Sequence, residues 1–273
     1  MTSLLDSPTR STPPTTIQRR SLLRDTLIVA ARELRPVRRD PFSVMFGMVQ
    51  PLVFLALFGP LLVGVVGDSD VLGGSVWQWF VPAILVQVAL FGTSTVGANL
   101  LFELQTGAHE RMLVTPLSRP SLLVGRSLKE MVPLALQAVV ILAVMTPFSF
   151  DLHLTGALAG LALLAVFGVG LGSLSYALAL AVRKQDWMFW VVQQTLIFPL
   201  MLLSGLLLPL ESGPGWMQVV AKFNPLTYLV DAERSLFAGD IVSTTVLWGV
   251  LAGLITAGLG LVVGIRGMSR SAD

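Results

Sequence analysis

Six apolar stretches, at roughly 42–66, 77–101, 130–149, 157–182, 188–210 and 244–266, constrain this 273-residue chain more than any other feature. Each is long enough to cross a hydrocarbon core of about 30 Å as a helix. Composition agrees: 54% of residues are hydrophobic, only 12% are charged and the mean hydropathy is +0.78. A soluble domain would carry charge on about a quarter of its residues. The expected fold is therefore an all-α integral membrane protein whose six transmembrane helices form three hairpins.

Charge sets the expected orientation. Arg10, Arg19, Arg20, Arg24, Arg32, Arg35, Arg38 and Arg39 precede the first span, and Arg111, Arg119, Arg126 and Lys129 fall between spans two and three. Arg183 and Lys184 follow span four, and Arg266 and Arg270 follow span six. The opposite loops hold only Lys222 and Arg234, so sixteen of the 18 basic residues lie on one side. An excess of Lys and Arg marks the cytoplasmic face, which places both termini there. The basic residues are read as orientation signals and not as a nucleic-acid site.

Residues 1–20 are rich in Ser, Thr and Pro without apolar periodicity and are expected to be a disordered cytoplasmic tail. Residues 21–40 place Leu23, Leu27, Ala30 and Leu34 at helical spacing among arginines, the pattern of an amphipathic helix in the membrane interface. Pro36 should end it, and residues 41–268 form the six-helix transmembrane domain.

The expected span interiors lack Asp, Glu, Lys, Arg and His, which proton- and ion-driven transporters usually place at mid-membrane depth. His109 and His153 sit in different loops, no Cys is present, and neither a metal site nor a nucleophile with its base can be assembled. No catalytic residue is expected. No G-x-x-x-x-G-K-[ST] sequence occurs, so any energy from ATP must arrive through another subunit.

Uncharged amides do enter the spans: Gln50, Gln87, Asn99, Gln137, Gln193 and Gln194. They can bond between helices or line a cavity for an amphiphile. Gln87, Asn99, Gln193, Gln194 and Phe198 are the candidates for a substrate path. Gln193 and Gln194 are adjacent, so one could face the bundle while the other faces a partner. Gly156 and Gly160, Gly168 and Gly172, Gly249 and Gly253, and Gly260 and Gly264 form small-xxx-small pairs, suited to packing within the bundle or to a dimer contact.

Two loops carry further information. Residues 103–119, from Glu103 through Gly107, His109, Glu110, Arg111 and Pro116 to Arg119, are compact and carry both charge signs. Residues 204–238 are too long and apolar for a plain hairpin; Pro209 and Pro214 should break them, leaving short helices at 216–223 and 226–238 packed on the outer ends of the bundle.

From about residue 20 onward the chain resembles the ABC-2 type permeases, the membrane subunits of ATP-binding-cassette exporters, and among them the daunorubicin-resistance type. The resemblance rests on Arg39-Asp40-Pro41, Gln50-Pro51, the Glu103…Gly107…Glu110-Arg111…Pro116 segment and the Ser204-Gly205…Pro209…Asn224-Pro225-Leu226-Thr227-Tyr228 block. It implies that Glu103, Gly107, Glu110, Arg111 and Pro116 form a coupling segment meeting a separately encoded ATPase subunit, which would hold the ATP and magnesium; this chain would bind no cofactor or metal. It also implies pairing with a second permease subunit, identical or related, with spans two and five lining the path. Asn224, Pro225 and Tyr228 would cap the exit. The expected function is outward movement of a hydrophobic or amphipathic compound, such as a drug, antibiotic or lipid, across the cell membrane. A polysaccharide or glycolipid exporter and a non-transporting membrane scaffold are the alternatives.

Overall fold

Pro41 opens the first long helix at a position where its missing N–H costs no hydrogen bond. The computed structural model describes Thr26, Val29, Ala31 and residues 41–66, 75–106, 119–148 and 150–270, and every regular element among them is helical. In chain order these are α1 (Pro41–Val66), α2 (Val76–Gln105), α3 (Arg119–Met145), α4 (Leu154–Ala181), α5 (Asp186–Leu202), a 3-10 turn (Leu210–Ser212), α6 (Gly215–Ala221), α7 (Pro225–Phe237) and α8 (Thr244–Arg270). The expected tail, and nearly all of the expected interfacial helix, lie outside the described residues. Within that stretch Val29 is buried, and a Cβ on Gly125 of α3 would meet its side chain.

Among the described residues, five helices, α1, α2, α3, α4 and α8, are long and apolar enough to cross a membrane. The expected fifth span is shorter than predicted. Helix α5 has 17 residues, about 25 Å of rise, and it ends at Leu202 where 188–210 had been expected to continue. Pro199 lacks an N–H, the Ser204 hydroxyl donates to the Met201 carbonyl at 2.7 Å, and Gly205 takes φ +72°, so the chain turns there.

The third expected span begins earlier than its apolar run. Arg119 and Pro120 start α3, proline being tolerated in a first turn, and the helix therefore takes up Arg126, Lys129 and Glu130. The expectation that Arg126 and Lys129 lie between spans two and three is thus corrected: both sit within helix α3. Pairing makes their inclusion tolerable: Arg126 bonds Glu103, and Lys129 lies 3.3 Å from Glu130.

Helix α2 is the central element, with 18 of its 30 residues buried, and it packs on α1, α3, α4 and α7. Its hydroxyls bond back along the helix, Thr93 to the Ala89 carbonyl and Ser94 to that of Leu90, so they enter apolar surroundings without loss. Ser175 of α4 ties the two central helices together by donating to the Ser94 carbonyl at 2.8 Å. Helix α8 lies against α4 and α7, and a Cβ on Gly260 would fall 2.2 Å from the Gly170 carbonyl oxygen. All eight glycines of the four small-xxx-small pairs have neighbours within this one chain, which is the intramolecular packing role.

Candidate functional site

Three constellations lie along α2, beginning where it runs into the 107–118 segment. Glu103, in the last turn, pairs with Arg126 of α3, which is only 5% exposed and holds its guanidinium 5.5 Å from the ring centroid of the buried Tyr176 on α4. Two residues further, Gln105 donates to the Asp186 carboxylate at the start of α5. This end of α2 is therefore bound to three helices at once. Glu103 is committed to a contact inside the chain, while Gly107, Glu110, Arg111 and Pro116 lie outside the described residues.

Midway, α1, α2 and α3 enclose a cavity of about 500 Å³. Its polar wall is Gln50 of α1, Gln87, Thr93, Thr95 and Asn99 of α2, and Gln137 of α3. The Lys129–Glu130 pair also borders it, and Phe91, Met131 and Leu134 supply apolar surface. Gln87 is 2% exposed and its Oε1 has no hydrogen-bond partner.

The five path candidates do not come together. Gln87 and Asn99 line the cavity, whereas Gln193, Gln194 and Phe198 ride on α5, outside it. Gln193 is buried in a stripe with Phe189, Ile197 and Met201, at spacings of four, while Gln194 and Phe198 face outward. Sequence reading noted Gln50 and Gln137 as amides within spans but did not place them at a site. Thr93 and Thr95 were missed because hydroxyls in a helix usually bond only their own backbone.

At the far end of α2, α7 is locked down by polar contacts. Asn224 caps it, accepting from the Leu226 N–H at 3.0 Å and donating to the Leu200 carbonyl at 2.7 Å. Pro225 fills the first helical position, and the Tyr228 hydroxyl donates to the Lys222 carbonyl at 2.8 Å. Arg234 donates to the carbonyls of Trp79 at 3.1 Å and Gly205 at 2.9 Å while its guanidinium lies over the Trp79 indole. Burial draws its pKa down to about 10. From α2, Gln78 reaches back to donate to the Phe237 carbonyl at 2.7 Å.

Beside Arg234 sits Glu233, fully buried, with neither carboxyl oxygen hydrogen-bonded. It packs against Gly160 of α4 and Phe237, and burial pushes its pKa up to about 8. Sequence reading had counted Arg234 only as a loop charge and passed over Glu233. The signal was available: three ionisable residues, Asp231, Glu233 and Arg234, within one short helix.

The sequence profile of the ABC-2 type transporters matches residues 24–238, from ahead of α1 to the end of α7. The chain belongs to this family. Three relatives show the same extent of likeness. The daunorubicin resistance ABC transporter permease protein DrrB1 of Streptomyces coeruleorubidus is 26% identical over 237 residues, covering 86% of this chain and 81% of its own length. The probable doxorubicin resistance ABC transporter permease protein DrrC of Mycobacterium tuberculosis is 27% identical over 254 residues, 90% of this chain and 87% of the relative. The putative transport permease ycf38 of Cyanophora paradoxa is 28% identical over 218 residues, 79% and 75% respectively. All three constellations fall within the stretch matched to the ABC-2 profile, so the Glu103–Arg126 pair, the cavity and the α7 lock belong to the ABC-2 domain itself. As an ABC-2 transporter chain with several membrane-crossing helices, this is a multi-pass membrane protein, and the family works with an ATP-binding subunit.

Proposed function

We propose that this chain is the permease subunit of an ATP-driven exporter that carries a hydrophobic or amphipathic compound, such as a drug, antibiotic or lipid, outward across the cell membrane. The observation that carries the reading is the family match across α1 to α7, with relatives named as permeases and two of them as drug-resistance permeases. In this reading α5 completes a set of six spans and both termini are cytoplasmic, which the distribution of basic residues supports. ATP and magnesium are held by a separate subunit that docks on the 103–118 segment, and two permease subunits, identical or related, pair around the path.

The contacts give this cycle a physical route. A push on the 107–118 segment reaches α2 through Glu103 and α3 through Arg126, because the ion pair joins the helices on either side of that segment. At the opposite end, α6 and α7 cover the exit, held shut by Asn224, Tyr228 and Arg234.

Purification of the chain from membranes together with its genomic neighbour's product, followed by ATPase assay with a panel of lipophilic compounds, tests the reading. Stoichiometric association with compound-stimulated hydrolysis is expected. A chain that purifies alone in mild detergent, with no ATPase subunit, would overturn it in favour of a membrane scaffold.

A further inference from the structure

We propose that the α1–α2–α3 cavity is a ligand site contained within one subunit, and that it takes the uncharged, hydrogen-bond-donating head of an amphiphile. This rests on the permease reading and narrows it to a class of cargo.

Charge decides the first half. Lys129 and Glu130 are the charged residues in the wall and lie 3.3 Å apart, so the lining is neutral. A charged head would give up its hydration and meet no net opposite charge in return.

Hydrogen-bond accounting decides the second half. The Thr93 hydroxyl already donates to the Ala89 carbonyl at 2.8 Å, and the Thr95 hydroxyl to that of Gly92 at 2.6 Å. Each hydroxyl has one proton and keeps acceptor lone pairs; those of the exposed Thr95 are open to a ligand, while Thr93 is fully covered. Gln87 adds Oε1, which lacks a donor. Although Gln87 is almost covered, rotation about its terminal torsion, which is broad and two-fold in glutamine, brings the unpartnered Oε1 toward the cavity. A ligand that supplies O–H or N–H groups completes this set, while Phe91, Met131 and Leu134 receive its apolar portion. The volume of about 500 Å³ lies in the ordinary range for small-molecule sites. All of its lining residues come from α1, α2 and α3 of one subunit.

Binding to the full chain in phosphatidylcholine nanodiscs tests this, with octyl glucoside as the probe. Its fully O-methylated analogue, octyltrimethylammonium and octyl sulfate serve as controls that keep the chain but lose the donors or add charge. Saturable binding of octyl glucoside is expected, about fivefold or more tighter than any control, given that one hydrogen bond is worth about 1 kcal/mol. Gln87→Leu should weaken it about fivefold while leaving the melting temperature unchanged or raised, since an unsatisfied buried acceptor is removed. Thr95→Val, at an exposed position, should weaken binding in the same direction should the first variant fold poorly. Equal binding of the methylated analogue, or binding unaffected by both substitutions, would overturn the proposal.

Nanodiscs containing a glucosyl diacylglycerol separate the sources. Competition with octyl glucoside supports the site with a bilayer lipid as occupant, and its absence supports the site with a single-chain amphiphile arriving from water. Because binding is read on the chain alone, failure of ATPase coupling would sink the permease reading without touching this result. Absent binding in a chain that still couples would sink the site alone.

Discussion

Arg234 lies with its guanidinium carbon 3.7 Å from the ring centroid of Trp79, joining α7 to the start of α2 face on. The same side chain donates to the Trp79 and Gly205 carbonyls, so one residue secures a short helix to two segments. Arg234→Lys keeps the charge but loses the planar fork and most of the stacking. We expect a loss of about 1–2 kcal/mol for Lys and more for Ala, read as thermal unfolding of the purified chain in detergent. Proteolysis between residues 203 and 224 should accelerate in both variants; an unchanged cleavage rate would mean that α7 is held elsewhere.

Glu233 predicts a pH dependence. Its carboxyl has a folded pKa of about 8 against an ordinary value of 4.5, so the folded chain binds the extra proton. The resulting stability is fully present below the ordinary value and is lost as pH rises through about 8. Wild-type melting temperature should therefore fall between about pH 5 and pH 9, and Glu233→Gln, which removes the proton but keeps the shape, should flatten that slope. Identical slopes for the two proteins would show that Glu233 is not the titrating group.

The Glu103–Arg126 pair predicts asymmetric losses. Removing either partner strands a charge in a largely covered site, so Arg126→Ala should cost about 3 kcal/mol while the double replacement by apolar residues costs much less. A double-mutant cycle on unfolding free energy measures the coupling, and strictly additive losses would show that the pair contributes nothing. In the adjoining segment, Glu110→Lys and Gly107→Pro should leave the chain inserted yet separate ATP hydrolysis from transport; unchanged transport in both would remove the coupling assignment.

Two glycines on α8 give a paired test of packing. A Cβ on Gly260 would strike backbone atoms of Gly170, so Gly260→Ala should force the helices apart at a cost of about 1–3 kcal/mol. Gly258 has open space around its Cβ position, and alanine there should be neutral or gain up to about 1 kcal/mol of helix propensity. Equal melting temperatures for the two variants would contradict the close approach of α4 and α8.

Apolar run lengths made the long helices legible, because twenty uncharged residues admit few alternatives. The short helices α6 and α7 were legible from Pro214, Asn224 and Pro225, which break and restart the chain locally. Helix ends set by partners elsewhere were not. Nothing near Arg126 in sequence announces that Glu103, 23 residues away, will neutralise it and let α3 start early. The cavity was half legible: an amide within an apolar run is a visible anomaly, but which helices surround it depends on their rotation in the bundle, which apolarity on every side leaves unmarked.

Where Gly170 and Gly260 bring α4 and α8 together backbone to backbone, no side chains remain between them to slide or repack. Backbone contact there leaves α4 and α8 less room to slide than helices packed through side chains. By contrast, α5 grips its neighbours through four buried residues and α1 leaves most of its surface uncovered. In the permease reading, α5 and α1 are the walls with the most freedom to move against the α4–α8 pair.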